Sequence, residues 1–170
     1  GRVSVGISGV HGKTTTTAIA GTLVDSLGLE ASVLAGSAVT DFGGTSVLFR
    51  GEQFFVAETC EYRRHFLDFD PSVAVVTNVE ADHLDYFRDG EDVELAFLEY
   101  LRKLPEEGTV VYCAEDPGAF SVAERIASER EDLHLIGYRR EGALRPLPGG
   151  RRGEEVRIIA ERSEPGRIHF

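Results

Sequence analysis

Apolar side chains at Val3, Val5 and Ile7 are separated by small or polar ones, and this period of two predicts a short buried strand ending at Ser8. The period then lengthens. Ala18, Ile19, Leu23, Val24 and Leu27 fall at helical spacing, which predicts a helix over residues 13–27 with Gly28 as its stop. Strand-like segments recur at Ser32–Leu34, Ser46–Phe49, Phe54–Glu58, Val73–Asn78, Thr109–Cys113 and Leu133–Tyr138. Residues 91–104 carry Val93, Ala96, Phe97, Tyr100, Leu101 and Leu104 on one helical face. Glu91 and Asp92 stand at the start of that segment and Arg102 and Lys103 at its end, the charge order a helix dipole favours. Asp116-Pro117 has the form of an N-cap followed by proline at the first helical position, and Ala119, Phe120, Ala123, Ile126 and Ala127 supply the apolar face behind it. Strands alternating with helices predict an α/β fold, a mostly parallel sheet flanked by helices, with ligands at the carboxyl ends of the strands. Residues 139–154, rich in Gly, Arg and Pro, predict a turn or loop, and Val156–Ala160 a late strand; residues 161–170 carry little signal.

Composition narrows the class. The 170 residues read as one domain, large enough to bury a core. Hydrophobic content of 42% with 28% charged residues fits a soluble globular protein and argues against disorder. A net charge of −11 makes a nucleic-acid backbone a poor partner, although a magnesium nucleotide stays open because local N–H groups and the metal handle its charge. No apolar run approaches the roughly 20 residues of a membrane span. No signal-peptide pattern is present, and the chain begins abruptly on a strand, as a fragment would. Cys60 and Cys113 are too few for a disulfide framework, so reduced thiols and a cytoplasmic location are expected.

The stretch GVHGKTTTT, residues 9–17, lies between the first strand and the first helix. A helix N-terminus has unpaired N–H groups and a positive dipole end, so it favours an anion. Gly9 and Gly12 let the backbone approach that anion, Lys13 reaches the outer phosphates as a point charge, and a threonine hydroxyl ligates Mg²⁺. Gly9, Val10, His11, Gly12, Lys13, Thr14 and Thr15 are thus the candidate nucleotide-binding residues. The strict phosphate-loop pattern needs a further glycine where Ile7 stands, so this is a shorter variant, G-x-x-G-K-T-T. A glycine-rich turn with a solvated lysine is the bland alternative. It does not explain why two threonines, poor helix formers, open the helix.

Two more strands run into chemistry-bearing residues. Phe54–Ala57 leads to Glu58, and Val73–Val76 leads to Thr77, Asn78, Asp82 and His83. On one edge of a parallel sheet, Glu58 and His83 would converge on the phosphate site. Mg²⁺ needs few protein ligands there, and one carboxylate, one threonine hydroxyl, an imidazole and the phosphates would suffice. Lys13, Glu58 and His83 are the catalytic candidates. Asp82 and Asp85 read equally as supporting acceptors or as helix-start acids. Arg63, Arg64 and His65 form a basic spot that meets an anionic substrate or is simply a solvated loop, and Cys60 is a reactive thiol or a small filler.

GVHGKTTTT, VAET and VVTNVEADHLDYF, in this order and spacing, resemble the central ATP-binding domain of the Mur ligases over most of residues 3–138. The resemblance implies a phosphate-loop NTPase-like fold with ATP and Mg²⁺ as cofactors. It puts Lys13 on the ATP phosphates, the Thr14 hydroxyl on the nucleotide-bound Mg²⁺, and Glu58 and His83 in the metal site. The family activates a substrate carboxylate as an acyl phosphate, which an amine converts to an amide. The pattern around His83 is most similar to the L-alanine-adding branch, which implies UDP-N-acetylmuramate and L-alanine as substrates of a full-length enzyme in peptidoglycan precursor synthesis. Two departures stand out: Thr59–Leu67 diverges from the run resembling ADESDGSFL in that branch, and no lysine occupies 97–99, where several relatives carry a carbamylated one. Lys103 falls too late for that role, and its absence from 97–99 fits the L-alanine-adding branch. The family has three domains, so residues 1–170 are expected to be an excised central domain without the UDP-binding and C-terminal domains. A recycling ligase that joins a preformed peptide to UDP-N-acetylmuramate, a folylpolyglutamate-synthase relative, and a non-catalytic nucleotide-binding module are the alternatives.

Overall fold

A computed structural model describes residues 2–140, 147, 154–157, 162–164 and 167–169. Its central element is β1 (Val3–Ser8), flanked in parallel by β4 (Phe54–Glu58) and β5 (Val73–Val76). Beyond β4 lie β2 (Ala31–Val39) and the edge strand β3 (Thr45–Phe49); beyond β5 lie β6 (Thr109–Cys113), β7 (His134–Arg139) and β8 (Glu154–Arg157). All neighbours run parallel except β3, which is antiparallel to β2. Register pairs Ile7 with Glu58 and Ser8 with Val76, so the segments that leave β1, β4 and β5 emerge at one edge of the sheet. A separate antiparallel pair, β9 (Arg162–Glu164) with β10 (Arg167–His169), occupies the tail that carried little sequence signal. The late strand begins at Glu154, inside the expected loop; residues 158–160 of the expected strand and 141–146 and 148–153 of the expected loop lie outside the described residues.

Helices cover the two faces unequally. On one face, α2 (Gly90–Arg102) and α3 (Pro117–Glu129) bury Val93, Phe97, Leu101, Val122 and Ile126 against Ala74, Val76, Val110 and Tyr112. Burial pushes the Tyr100 phenol on α2 up to about 12. Gly6 of β1 has no side chain because Tyr100 Oη and the Phe69 ring fill the space a Cβ would need. Gly118 of α3 lies in the same way against the Val79 carbonyl. Both helices are capped: Asp89 accepts from Asp92 N at 2.9 Å and Asp116 from Ala119 N at 2.7 Å. Asp116 Oδ1 also accepts from Val79 N at 3.0 Å, which ties α3 to the segment after β5.

On the other face, α1 (Lys13–Ser26) lies over a smaller cluster of Ile7, Val33, Ala35, Phe42, Leu48 and Val56. The helix forms where its spacing predicts, but its face is not the apolar stripe: Ile19, Leu23 and Leu27 are 60%, 56% and 62% exposed. Thr17 and Gly21 are the buried positions, with Ala20 and Val24 against the cluster. The reason is close approach. A Cβ on Gly21 would run into the Phe42 ring, so the helix seats by its smallest residues and leaves the large ones outside. Boundaries also shift. β2 is longer than its apolar run, because Gly36, Ser37 and Ala38 extend it without an alternating pattern, and β5 stops at Val76 rather than Asn78.

Candidate nucleotide site

β1 ends at Ser8 and the chain turns through Gly9, whose φ of 137° suits glycine alone, and whose Cβ would collide with Thr77 Oγ1. Gly12, at φ 80°, is the N-cap of α1; no side chain caps this helix and no acid sits in its first turn. The N–H groups at its start are therefore left for an anion. Residues that sequence reading placed on a strand hold the loop in shape. Asn78 accepts from His11 N at 2.8 Å and donates to His11 O at 3.0 Å, while Thr77 Oγ1 donates to His11 O at 2.8 Å. Val10, His11, Gly12, Lys13, Thr14, Thr15 and Glu58 line one cavity of about 340 Å³. Glu58 is held at its rim, its Oε2 accepting from Gly36 N at 2.6 Å.

Lys13 is folded back over the loop. Its Nζ donates to Gly9 O at 2.6 Å and Val10 O at 3.2 Å, and meets Glu61 Oε1 and Oε2 at 3.2 and 3.0 Å. The Glu61 side chain is only 1% exposed, and its Oε1 also lies 3.3 Å from His83 Nε2. The sequence carries only one signal for Glu61, an acid three residues beyond Glu58 in the same post-strand run. His83 takes φ 52°, rare for a residue with a Cβ, and its ring packs on Tyr62 with centroids 4.8 Å apart. His83 does not line the loop cavity; Glu61 joins it to Lys13 instead.

The remaining candidates separate. Asp82 Oδ1 accepts from His83 N at 2.7 Å and Asp85 from Tyr62 Oη at 3.0 Å, so both acids brace the histidine loop. Arg63 and Arg64 share left-handed backbone, at φ 51° and 59°, yet point apart. Arg64 reaches Asp92 at 3.1 Å and Glu99 at 2.7 Å, whereas Arg63 lies over the Tyr62 ring at 5.4 Å. The Arg88 N–H holds the Asp92 carboxyl below its usual range, helped by the Arg88 and Arg64 charges and opposed by desolvation. His65 is exposed and Cys60 half-buried. Among the described residues no group of three or more His, Cys, Asp or Glu side chains gathers closely enough to hold a metal by itself. No helix among them is long and apolar enough to cross a membrane.

Comparison with known proteins bears on this geometry. The family model of the Mur ligase middle domain matches residues 7–148. The chain is 48% identical over 137 residues to the UDP-N-acetylmuramate–L-alanine ligase of Treponema pallidum, covering 81% of this chain and 28% of that protein. It is 42% identical over 135 residues to the enzyme of the same name from Borrelia garinii, covering 79% and 28%. The chain thus spans under a third of the length of these curated relatives. Among solved structures, a MurF ligase from Thermotoga maritima in complex with ADP superposes with a TM-score of 0.61 at 25% identity, over 80% of this chain and 33% of that one. The UDP-N-acetylmuramate–alanine ligase of the same organism gives 0.62 at 23% identity, over 80% and 29%, and shares the fold.

Proposed function

Because this chain belongs to the Mur ligase family, as a middle domain, we propose that it is the ATP-binding part of a cytoplasmic UDP-N-acetylmuramate–L-alanine ligase. The observation that carries this reading is the uncapped start of α1, where Lys13, Thr14 and Thr15 share one cavity with Glu58. The N–H groups of Gly12–Thr15 would cradle the phosphates, and Lys13 would meet the negative charge on the group in transfer. In the full enzyme the UDP-N-acetylmuramate carboxylate would take up the phosphoryl group and the L-alanine amine would displace it as phosphate. The domain's work is to position and to stabilise charge.

The donor set fits Mg²⁺. A threonine hydroxyl and the Glu58 carboxylate face one cavity, and the lack of an acidic cage among the described residues suits an ion that keeps waters and phosphate oxygens as ligands. Thr14 and Glu58, which line the cavity, would hold the ion, which would supply charge neutralisation at the phosphates; His83, outside the cavity, would act on the site through Glu61 rather than as a ligand. Glu58 is already oriented by Gly36 N, and His83 is fixed by Tyr62 and Asp82.

The Lys13→Ala variant of the full-length enzyme, assayed for L-alanine-dependent phosphate release, should keep its fold and lose about 10²–10³-fold in turnover. Near-wild-type turnover would remove Lys13 from the mechanism. The 170-residue chain alone, mixed with ATP, Mg²⁺, UDP-N-acetylmuramate and L-alanine, should release no substrate-dependent phosphate, since such ligases complete their site by closure between domains. Release above background would show a complete site within this chain.

A further inference from the structure

The Lys13–Glu61–His83 cluster, built around a buried carboxylate, has a property that phosphate binding alone does not require. An ammonium group has three N–H donors. In this structure Gly9 O, Val10 O and the Glu61 carboxylate use all of them. The lysine is folded back and its side chain is only 12% exposed. A phosphate can gain Lys13 only if one of these partners releases it. The two carbonyls are neutral and belong to the loop itself. Glu61 differs on two counts. It is an anion, which an arriving phosphate repels through a poorly screened interior. It also has a second partner in contact, His83 Nε2 at 3.3 Å, so its carboxylate is not orphaned when the lysine leaves.

We propose that Glu61 is a positioning residue that holds Lys13 retracted while the loop is empty and passes to His83 alone when phosphates draw the lysine away. This rests on the nucleotide reading above and adds the order of events: loop occupancy is signalled, through one buried carboxylate, to the histidine loop at the end of β5. Tyr62 extends the link, since its ring packs on His83 and its hydroxyl bonds Asp85.

The consequence for affinity has a sign. A lysine committed to Glu61 is available to ligand for only a fraction of the time, and apparent affinity falls by that fraction. Removing the carboxylate charge should therefore tighten binding of a metal-free nucleotide, the opposite of what loss of a structural support or of a metal ligand would do. The test is calorimetric titration of ADP, in the presence of a chelator, into the 170-residue chain and its Glu61→Gln variant. The variant should bind about tenfold more tightly, and adding Glu61→Gln to Lys13→Ala should give no such gain. Equal or weaker binding by a folded Glu61→Gln variant overturns the proposal.

A second measurement uses the wild type and so does not depend on the variant folding. The chain has two lysines, Lys13 and Lys103, and Lys103 pairs with Asp70 at 2.7 Å outside the loop. With labelled lysine and histidine, ADP should shift the Lys13 ammonium and His83 ring signals together and leave Lys103 in place. A Lys13 shift without a His83 shift overturns the exchange while leaving nucleotide binding standing. A wild-type chain that shows no response to ADP overturns the nucleotide reading and the exchange with it.

Discussion

The starts of α1 and of α2 and α3 solve opposite problems. Asp89 and Asp116 each place a carboxylate on the N–H groups of the helix they precede, Glu91 and Asp92 add negative charge to the first turn of α2, and Pro117 removes a donor from α3. Each of those ends has its own carboxylate to meet one N–H group of the first turn. Helix α1 starts on Gly12, followed by a lysine, with no cap and no acid in the first turn. The contrast extends to packing. α2 buries Val93, Ala96, Phe97, Leu98, Tyr100 and Leu101, whereas α1 buries only Thr17 and Gly21. One half of the domain is a closed core. The other keeps donors open and stays in place through close backbone approach and neighbouring loops, so the region proposed to bind nucleotide is the one with least packing to spare.

That contrast can be broken by substitution, and the largest effect is expected in the closed half. Phe97→Ala should cost about 4 kcal/mol in urea unfolding, because the ring is fully buried in the larger core and packs edge-on against Phe66. A cost like that of a surface change would mean the α2–α3 half is no more tightly built than the α1 half. Next comes Asp116→Ala, at about 2 kcal/mol, since one carboxylate oxygen serves both Ala119 N and Val79 N; the variant should leave ADP affinity unchanged. Gly12→Ala sharpens the other side. A Cβ there meets nothing within 4 Å, so the penalty is the left-handed backbone alone, about 1 kcal/mol, while ADP affinity should fall by more than stability does. The smallest effect is expected for Ile19→Ser, within about 0.5 kcal/mol by the same unfolding assay, because that side chain already faces solvent. A loss of several times that would place Ile19 in a contact the exposed face of α1 does not have.

Much of this was legible in the chain. Period-two and helical spacing located the strands and helices, and Asp116-Pro117 and Glu91-Asp92 announced two capped or charge-matched helix starts, as found. Three things were not legible. For the face of α1, apolar spacing reports which residues could be buried, whereas Phe42, twenty-one positions beyond Gly21, decides which ones are. For Glu61, a carboxylate in a turn reads as solvated, and only the fold brings Lys13 and His83 to it, from 48 positions before and 22 after in the numbering. Thr77 and Asn78 continue an apolar run and so read as strand, yet their side chains clasp the glycine loop. In each case the missing information was a long-range contact, which no local pattern contains.

The filled space beside Gly6 and Gly118 bears on how a saturation mutagenesis of this domain would read. Both positions will score as intolerant as Gly9 and Gly12, although neither lines the loop cavity. Second-site suppressors separate them. At Gly6 the nearest obstacle is the hydroxyl of Tyr100, so trimming Tyr100 to Phe should partly restore a Gly6→Ala allele. At Gly118 the obstacle is the main-chain carbonyl of Val79, which no side-chain change can withdraw. A genetic map of the chain would therefore show three kinds of essential glycine: those needed for their backbone angle, those with a suppressor, and those with none.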